Sequence, residues 1–189
     1  MANDNLLNIP MLLINSATYT PYFARFMSTP AAGGLAAIET KRIAQVTDAL
    51  SAGLEQDQIA ETGQFYAMLL IFQGHDGIDE GDKAAAVARL LKWKEQYNGT
   101  FVEETMERCL GALNNDRGEM GYIIKGVKVM LEAPLTKCGG GKGVCRRSMD
   151  DGQEPLSKCS RCKTSVYCGA PHQQAGWKEH KPLCFAPAF

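Results

Sequence analysis

The sequence predicts a mostly α-helical protein with a small metal-binding module at its C-terminal end. Apolar residues recur at helical spacing over the first 134 residues, and no convincing alternating strand interrupts them. Six of the seven cysteines and two of the three histidines lie between Cys138 and Cys184. We therefore expect an all-helical domain over residues 1–134 and a cysteine-rich finger over residues 135–189.

Composition is that of an ordinary globular chain. The protein has 189 residues, of which 45% are hydrophobic and 22% charged, which suits one domain of moderate size plus an appendage. No apolar run approaches the roughly 20 residues that a bilayer-spanning helix needs. Residues 1–20 contain no Lys or Arg, and their apolar run is too short for a signal peptide. We therefore expect an intracellular protein, either nuclear or cytoplasmic, without a membrane segment.

The first helices are predicted from apolar spacing and from helix-breaking residues. Aromatic residues around Pro21 indicate a short helix that packs against the rest of the domain. After a glycine pair, apolar spacing predicts one helix over residues 35–53 and a second over about 56–73. A polar acidic loop follows, in which Asp82 is the expected N-cap of the next helix.

A third helix is predicted over about residues 83–97, with Leu91 on its buried side and Trp93 near the edge of that side. Thr100 followed by Glu103 has the pattern of a capping box, which places the start of a fourth helix at Thr100.

A fifth helix is predicted over about residues 117–132, with Ile123 and Met130 buried and Pro134 ending it. Five successive amphipathic helices favour either an irregular helical bundle or a short armadillo-like stack of helix pairs. No repeated sequence pattern distinguishes the two architectures.

Eight residues near the C-terminus have the types and spacing of metal ligands. In chain order they are Cys138, Cys145, Cys159, Cys162, Cys168, His172, His180 and Cys184. Structural zinc takes four S or N ligands in a closed tetrahedral shell, so eight ligands suffice for two ions. Cys159 and Cys162 form a CxxC pair, whereas Cys168/His172 and His180/Cys184 have the i,i+4 spacing of one helix face. The spacing therefore predicts structural zinc.

Disulfides and isolated core thiols are the alternatives to zinc. Disulfides require an oxidising compartment, which the absence of a secretory signal does not favour. Histidines interleaved at ligand spacing would also have no role in a disulfide framework. The seventh cysteine, Cys109, falls in the apolar stripe of the fourth predicted helix and is interpreted as a core residue.

The stretches KCSRCKTSVYC and HQQAGWKEHKPLC resemble a MYND-type zinc finger. The resemblance covers about Cys138 to Cys184, roughly a quarter of the chain, and includes Gln173, Trp177 and Lys181. It implies a cross-braced fold with two structural zinc ions. In that arrangement Cys138, Cys145, Cys168 and His172 hold one ion, and Cys159, Cys162, His180 and Cys184 hold the other.

Two features depart from the family pattern. Six residues separate Cys138 from Cys145 where the family has a CxxC pair, so Cys138 is the ligand that departs most from the pattern. His172 stands where the family usually has cysteine, and it is still a good zinc ligand. A RING finger is the nearest alternative, but it closes with a CxxC pair where this chain closes with HxxxC.

No catalytic pattern accompanies the cysteines. The chain has no GxSxG, Walker, GxGxxG, HExxH or SET motif, and the GGGKG run at 139–143 lies within the finger. Because protein ligands fill each predicted zinc shell, no water can be activated there. We therefore expect a structural role for zinc and a protein that is not an enzyme.

The resemblance implies that the finger binds short proline-rich peptides. The peptide would add a strand to a hairpin containing Val166, and Gln173 and Trp177 would flank the groove. Pro171 is expected to begin a helix that continues to about His180. On such a helix Trp177 would share a face with His180, so packing over the second zinc site is an equal alternative for its role.

The favoured interpretation is an adaptor whose finger binds proline-rich partners while the helical domain holds a second partner. Nucleic-acid binding is the first alternative, through Lys158, Arg161, Lys163, Lys178 and Lys181. From residue 137 onward, nine Lys or Arg face four Asp or Glu, and zinc-bound thiolates reduce this charge to about +3. That charge is modest, so nucleic acid is the less favoured partner. An enzyme with an unrecognised helical site is the second alternative; the oligomeric state is left open.

Overall fold

A computed structural model describes residues 8–114, 118–141 and 145–186, with side chains described from residue 11. Over these described residues the helical part contains eight α-helices: α1 Asn8–Thr18, α2 Pro21–Met27, α3 Leu35–Ala44, α4 Asp48–Ala52, α5 Gln56–Gln73, α6 Glu80–Gln96, α7 Phe101–Leu113 and α8 Glu119–Thr136. The C-terminal part contains β1 Ser157–Lys158, β2 Val166–Tyr167, α9 Ala170–Ala175 and α10 Trp177–His180. Among the described residues β1 and β2 form the one sheet, so the mostly α-helical class is confirmed.

Helix α5 lies at the centre of the helical part and packs against α1, α3 and α7, while α6 packs against α3 and α7. The fully buried side chains of this core include Ile43, Ile59, Tyr66, Leu69, Leu90, Trp93, Val102, Met106, Cys109 and Leu113. Each large apolar side chain buried here stabilises the fold by about 1.5–3 kcal/mol. Cys109 is the expected core residue, and burial raises the pKa of its thiol to about 12.

The residues predicted as one helix over 35–53 form two helices. Helix α3 ends at Ala44, and Thr47 caps α4 by accepting a hydrogen bond from the backbone N–H of Leu50 at 3.2 Å. The threonine side chain satisfies one of the donors that a helix start leaves free, which makes a new start at Thr47 favourable. The prediction was wrong because apolar spacing continues through this break.

The third predicted helix begins earlier and presents a different face. Asp79, rather than Asp82, is the N-cap, and its carboxylate accepts from the backbone N–H groups of Gly81 and Asp82. Trp93 is fully buried and donates from Nε1 to Ser51 Oγ at 2.8 Å, whereas Leu91 is half exposed. The polar indole N–H has a buried partner, so the whole ring can enter the core.

The start of α7 differs slightly from the predicted capping box. Thr100 Oγ1 accepts from the backbone N–H of Val102, as an N-cap should. The carboxylate of Glu103, however, accepts from the N–H of Gly99 rather than from that of Thr100. Thr100 is confirmed as the N-cap, and Glu103 secures the residue before it.

Helix α8 continues through Pro134 and ends at Thr136, so the expected break at Pro134 is wrong. Pro134 lies in the last turn, where it removes one backbone hydrogen bond, and the N–H of Lys137 still bonds the carbonyl of Ala133 at 2.8 Å. Ile123 and Met130 are largely exposed, contrary to prediction. The predicted start of this helix, at Arg117, lies outside the described residues.

The C-terminal part packs against the helices through α2 and α8. Helix α2 contacts α8, and α8 contacts β2, so the finger rests on the side of the helical part that these two helices form. Within the part of the chain that the structure describes, no helix is long and apolar enough to cross a membrane.

Candidate metal centres

Strand β2 lies between two other segments of the C-terminal part and pairs with both. It pairs antiparallel with β1, through Val166 opposite Lys158 and Tyr167 opposite Ser157. On its other side Val166 pairs in parallel with Cys138, and the N–H of Gly139 donates to the carbonyl of Val166 at 2.9 Å. The β2 strand thereby fixes the segments that carry Cys138 and Cys159 on its two sides.

The first cluster of metal-ligating side chains contains Cys138, Cys145, Cys168 and His172, whose ligand atoms all lie within 4.8 Å of one another. The Sγ atoms of Cys145 and Cys168 are 3.4 Å apart, and Cys138 Sγ lies 3.5 Å from Nδ1 of His172. Ligand atoms of a tetrahedral zinc site are about 3.5–3.8 Å apart, given Zn–S bonds of about 2.3 Å. The spacing fits a zinc ion.

The second cluster contains Cys159, Cys162, His180 and Cys184, again within 4.8 Å. The Sγ atoms of Cys159 and Cys184 are 3.8 Å apart, and Cys162 Sγ lies 3.7 Å from Nε2 of His180. All three thiols of this cluster are buried. The two histidines present different ring nitrogens to their clusters, Nδ1 in the first and Nε2 in the second.

Backbone N–H groups point at several sulfur atoms of the two clusters. Donors at 3.4–3.5 Å run from Arg147 to Cys145 Sγ, from Thr164 to Cys162 Sγ and from Cys168 to Cys138 Sγ. The N–H of Arg147 is the main cause that lowers the pKa of Cys145. Hydrogen bonds of this kind stabilise the charged form of a ligand and orient it.

The pKa values within each cluster diverge. Burial raises the pKa of Cys159, but hydrogen bonds from backbone N–H groups and from the His180 and Cys184 side chains outweigh it and bring the value down to about 6. Burial and the neighbouring thiols raise the pKa of Cys184 to about 11 and that of Cys168 to about 11. Crowded thiols that hinder each other's ionisation are the situation that a divalent cation relieves. The residues present therefore fit zinc.

Residues 137–184 match the family model of the MYND finger. This segment is a MYND finger. It resembles mouse Egl nine homolog 1, with 42% identity over 53 residues, which are 24% of this chain and 13% of the relative. It also resembles human histone-lysine N-methyltransferase SMYD3, with 42% identity over 50 residues, 26% of this chain and 11% of that protein. No solved structure matches this chain.

These relatives share only the finger with the chain, which spans 13% or less of their length. The MYND finger accounts for the zinc prediction, which is confirmed, and the structure shows two clusters able to hold two ions. The eight side chains fall into the two sets that the sequence resemblance implied. Assignment of each as a zinc ligand remains a prediction.

A closed shell of four protein donors leaves no position for a water or a substrate. Zinc in this finger would therefore be structural. A short segment with little apolar core gains its order from such ions, which contribute on the order of 10–16 kcal/mol in small fingers. The chemistry of the MYND finger is that of a stabilised protein-interaction surface.

Two of the three predicted peptide-binding residues lie at a groove in the MYND finger. Gln173 and Trp177 line it together with Ala170 and Gln174, and its volume is about 380 Å³. Trp177 is 38% exposed, and its ring also meets the His180 ring edge to face at 5.7 Å between centroids. Trp177 thus contacts His180 of the second cluster and the groove at once, so its position is compatible with either predicted role.

Val166 does not line that groove. Its side chain is completely buried, and its backbone pairs with Lys158 on one side and Cys138 on the other. A peptide strand cannot pair with a strand that is bonded on both sides. Among the described residues no strand pairs with the outer edge of β1, which is exposed.

Several residues in or against the MYND finger were not singled out from the sequence. Ser165 Oγ lies 3.1 Å from Nδ1 of His180, and Tyr22 and Arg25 bond the finger from α2. Gly176 separates α9 from α10, where one helix was expected, and packs directly on Gly139. The glycines at 139 and 176 could have indicated a close approach of two backbone segments. No sequence pattern near Tyr22 or Arg25 indicated that these residues contact the finger.

Proposed function

We propose that this protein is a non-enzymatic adaptor and that its MYND finger binds short proline-containing peptides. The single observation that carries the proposal is the groove beside the half-exposed ring of Trp177. An aromatic face supplies an apolar platform for a proline ring, and an open strand edge supplies backbone hydrogen bonds.

The proposed path of the peptide follows β1 rather than β2. Cys159 comes directly after β1, and Nε2 of Gln173 donates to Cys159 Sγ at 3.5 Å. The C-terminal end of β1 is therefore linked to the groove at Gln173. A peptide that adds a strand to β1 would reach Trp177 with its next residues.

The hydrogen bond from Gln173 also gives this residue two roles. It holds the side chain against the second cluster through the amide nitrogen, and the amide oxygen would be the acceptor for a backbone N–H of the peptide. A ligand-binding side chain that is already fixed loses little conformational freedom on binding.

The helical part would hold a second partner. Support comes from apolar side chains that α8 leaves exposed, namely Tyr122, Val129 and Met130. Exposed apolar residues that cluster on one helix are typical of protein-binding surfaces. Ser substitutions of Tyr122 and Met130 should leave peptide binding by the finger unchanged.

The proposal is tested by titrating the full chain with peptides that contain proline and with matched peptides in which alanine replaces proline. Because Trp93 is buried in the helical core and Trp177 borders the groove, a change in tryptophan fluorescence reports Trp177. Proline-containing peptides should bind at least about 10-fold more tightly, a difference of about 1.4 kcal/mol. Equal affinity for the alanine peptides would contradict the proposal.

Substitution then separates the two roles of Trp177. Trp177→Ala should abolish peptide binding, measured by calorimetry, while elemental analysis still finds two zinc ions per chain. Lys178→Ala is the matched control, because Lys178 is exposed beside Trp177 and does not line the groove. Loss of a zinc ion from Trp177→Ala would favour the packing role, and a mobility shift with nucleic acid but not with peptide would favour the alternative partner.

A further inference from the structure

The hydroxyl of Tyr22, on helix α2, bonds the chain on both sides of the last ligand of the second cluster. It donates to the carbonyl of Leu183 at 2.5 Å and accepts from the N–H of Phe185 at 2.7 Å, so it spans Cys184. The Tyr22 ring also packs against the buried residues of the finger and lies 6.3 Å from the ring of Phe185. The backbone that carries Cys184 is thereby held from the helical part.

Arg25 lies three residues further along α2 and bonds the other end of the same cluster. Its guanidinium donates from Nη1 to the carbonyl of Cys162 at 3.0 Å and to Thr164 Oγ1 at 3.4 Å. Residues three apart share one face of a helix, so Tyr22 and Arg25 act from the same side of α2. Thr164 in turn donates to the Cys162 carbonyl at 2.9 Å.

These contacts hold two chain segments that the second cluster also joins. Cys159 and Cys162 come from the turn after β1, and His180 and Cys184 come from the last helical turns. A shell of three thiolates, one histidine and a divalent ion carries one net negative charge. A guanidinium beside Cys162 therefore also stabilises the occupied site electrostatically.

We propose that Tyr22 and Arg25 are positioning residues for the second zinc site, so that helix α2 completes this site from outside the MYND finger. The first cluster has no such need, because Cys138 follows α8 directly and β2 fixes its backbone. The two sites should therefore differ: the zinc affinity of the second site depends on contacts from α2, and that of the first site does not. The inference depends on zinc occupancy and not on peptide binding.

The test uses the full chain loaded with two zinc ions and titrated with a chelator. The two histidines give each site its own signature, since His172 faces its cluster through Nδ1 and His180 through Nε2. Nitrogen-15 NMR of the two imidazoles therefore reports which ion leaves. Tyr22→Phe combined with Arg25→Gln should lower the affinity of the His180 site by about 10-fold or more, as loss of supporting contacts does in other metal sites.

Matched controls separate positioning from general stability. Tyr19→Phe removes a hydroxyl that bonds Gln64 in the helical part, and Arg161→Gln removes an exposed cation between Cys159 and Cys162. Both should leave the His180 site within about twofold of the wild-type affinity. Arg25→Lys keeps the charge and should restore part of the affinity that Arg25→Gln loses.

Two outcomes would overturn the proposal. One is an unchanged affinity of the His180 site in the double variant, and the other is an equal loss at both sites, which would indicate general unfolding. Should the double variant fail to fold, Tyr22→Phe alone decides, because it removes one oxygen atom and keeps the ring against Phe185. A His180 site that releases zinc as slowly in Tyr22→Phe as in wild type would then contradict the role of Tyr22.

Discussion

Ser165 Oγ lies 3.1 Å from Nδ1 of His180, while Nε2 of the same ring lies 3.7 Å from Cys162 Sγ. The hydroxyl thus holds the ring with Nε2 turned toward the cluster. Supporting hydrogen bonds of this kind fix the tautomer of a ligating histidine.

Ser165→Ala should weaken the second zinc site by about 10-fold and leave the first unchanged. The measurement is a chelator titration with the His180 and His172 imidazoles followed separately by NMR. Ser157→Ala, which removes an exposed hydroxyl of β1, is the control and should have no effect. Unchanged zinc affinity in Ser165→Ala would show that the ring is held by other contacts.

Gly176 should tolerate no side chain. A Cβ atom at this position would stand 1.9 Å from the carbonyl oxygen of Gly139, next to Cys138, so backbone would have to move. Gly176→Ala should cost about 1–3 kcal/mol and reduce the zinc affinity of the first site by at least fivefold. Among the residues that the structure describes, a Cβ at Gly169 would meet only Pro171, at 3.8 Å, so Gly169→Ala is the control. Equal zinc retention by the two variants would contradict this prediction.

Replacement of two helix glycines by alanine should change the stability of the chain in opposite directions. At Gly63 a Cβ would lie 2.3 Å from Met106 Cε and 2.8 Å from Thr105 Cγ2, so Gly63→Ala should destabilise the chain by about 1–2 kcal/mol despite the better helix propensity of alanine. No atom of the described residues lies within 4 Å of a Cβ built at Gly126, so Gly126→Ala should stabilise the chain by about 0.5–1 kcal/mol. Urea unfolding followed by circular dichroism measures both, and a stabilised Gly63→Ala variant would refute the close approach of α5 and α7.

Glu39 should make the free energy of unfolding fall as pH rises, which is the opposite of what a carboxyl group with a lowered pKa does. Burial raises the pKa of its carboxyl, and the guanidinium of Arg42 offsets this only in part. A folded pKa above the unfolded one means that ionisation costs stability as pH rises between the two values. Glu39→Gln, which resembles the protonated form, should therefore be more stable than wild type near pH 7. The difference should shrink toward pH 4.

Unfolding of the helical part, followed through Trp93, measures the effect of Glu39 at each pH. Arg42→Gln is the counterpart, because it leaves the Glu39 carboxylate without its partner and should destabilise the chain at pH 7. A Glu39→Gln variant that is less stable than wild type at pH 7 would mean that the ion pair outweighs the cost of burial.

Chelation of zinc should disorder the MYND finger and spare the helical core. The finger's small buried core consists largely of the cysteines themselves, whereas the helices have an apolar core of their own. Fluorescence of Trp177 should change on adding chelator, while Trp93 and the far-UV helical signal should persist. Protease resistance of the finger that is equal with and without chelator would argue against structural zinc.

Sequence patterns predicted the features of this protein that depend on residues close together in the chain. The bounds of α5 were predicted to the residue, since apolar spacing and Gly74 both mark them. The two clusters followed from ligand spacing and the family resemblance, because zinc requires thiols at short separations. The start of α4 at Thr47 was missed because the apolar spacing continues through that break. The passage of α8 through Pro134 was missed because proline was expected to end the helix, whereas a proline in the last turn removes only one backbone hydrogen bond.

Contacts between distant segments could not be predicted. Tyr22 and Leu183 are 161 residues apart in the chain, and Arg25 and Cys162 are 137 apart. No sequence motif around these residues indicates what they contact, so the contacts are seen only once α2 packs on the finger. Val166 was predicted to bind the peptide because the family resemblance implies an added strand on its hairpin, and the sequence does not show that Val166 is buried and paired on both sides.

The enclosure of β2 sets how many ligands the MYND finger could hold at once. With one side of β2 taken by Cys138 and the other by β1, the small sheet can grow in one direction only. One finger would then accommodate one strand, and two proteins that carry the same motif would have to compete for it. Recruitment through this surface would be mutually exclusive, and titrating one ligand should displace the other with a stoichiometry of one to one.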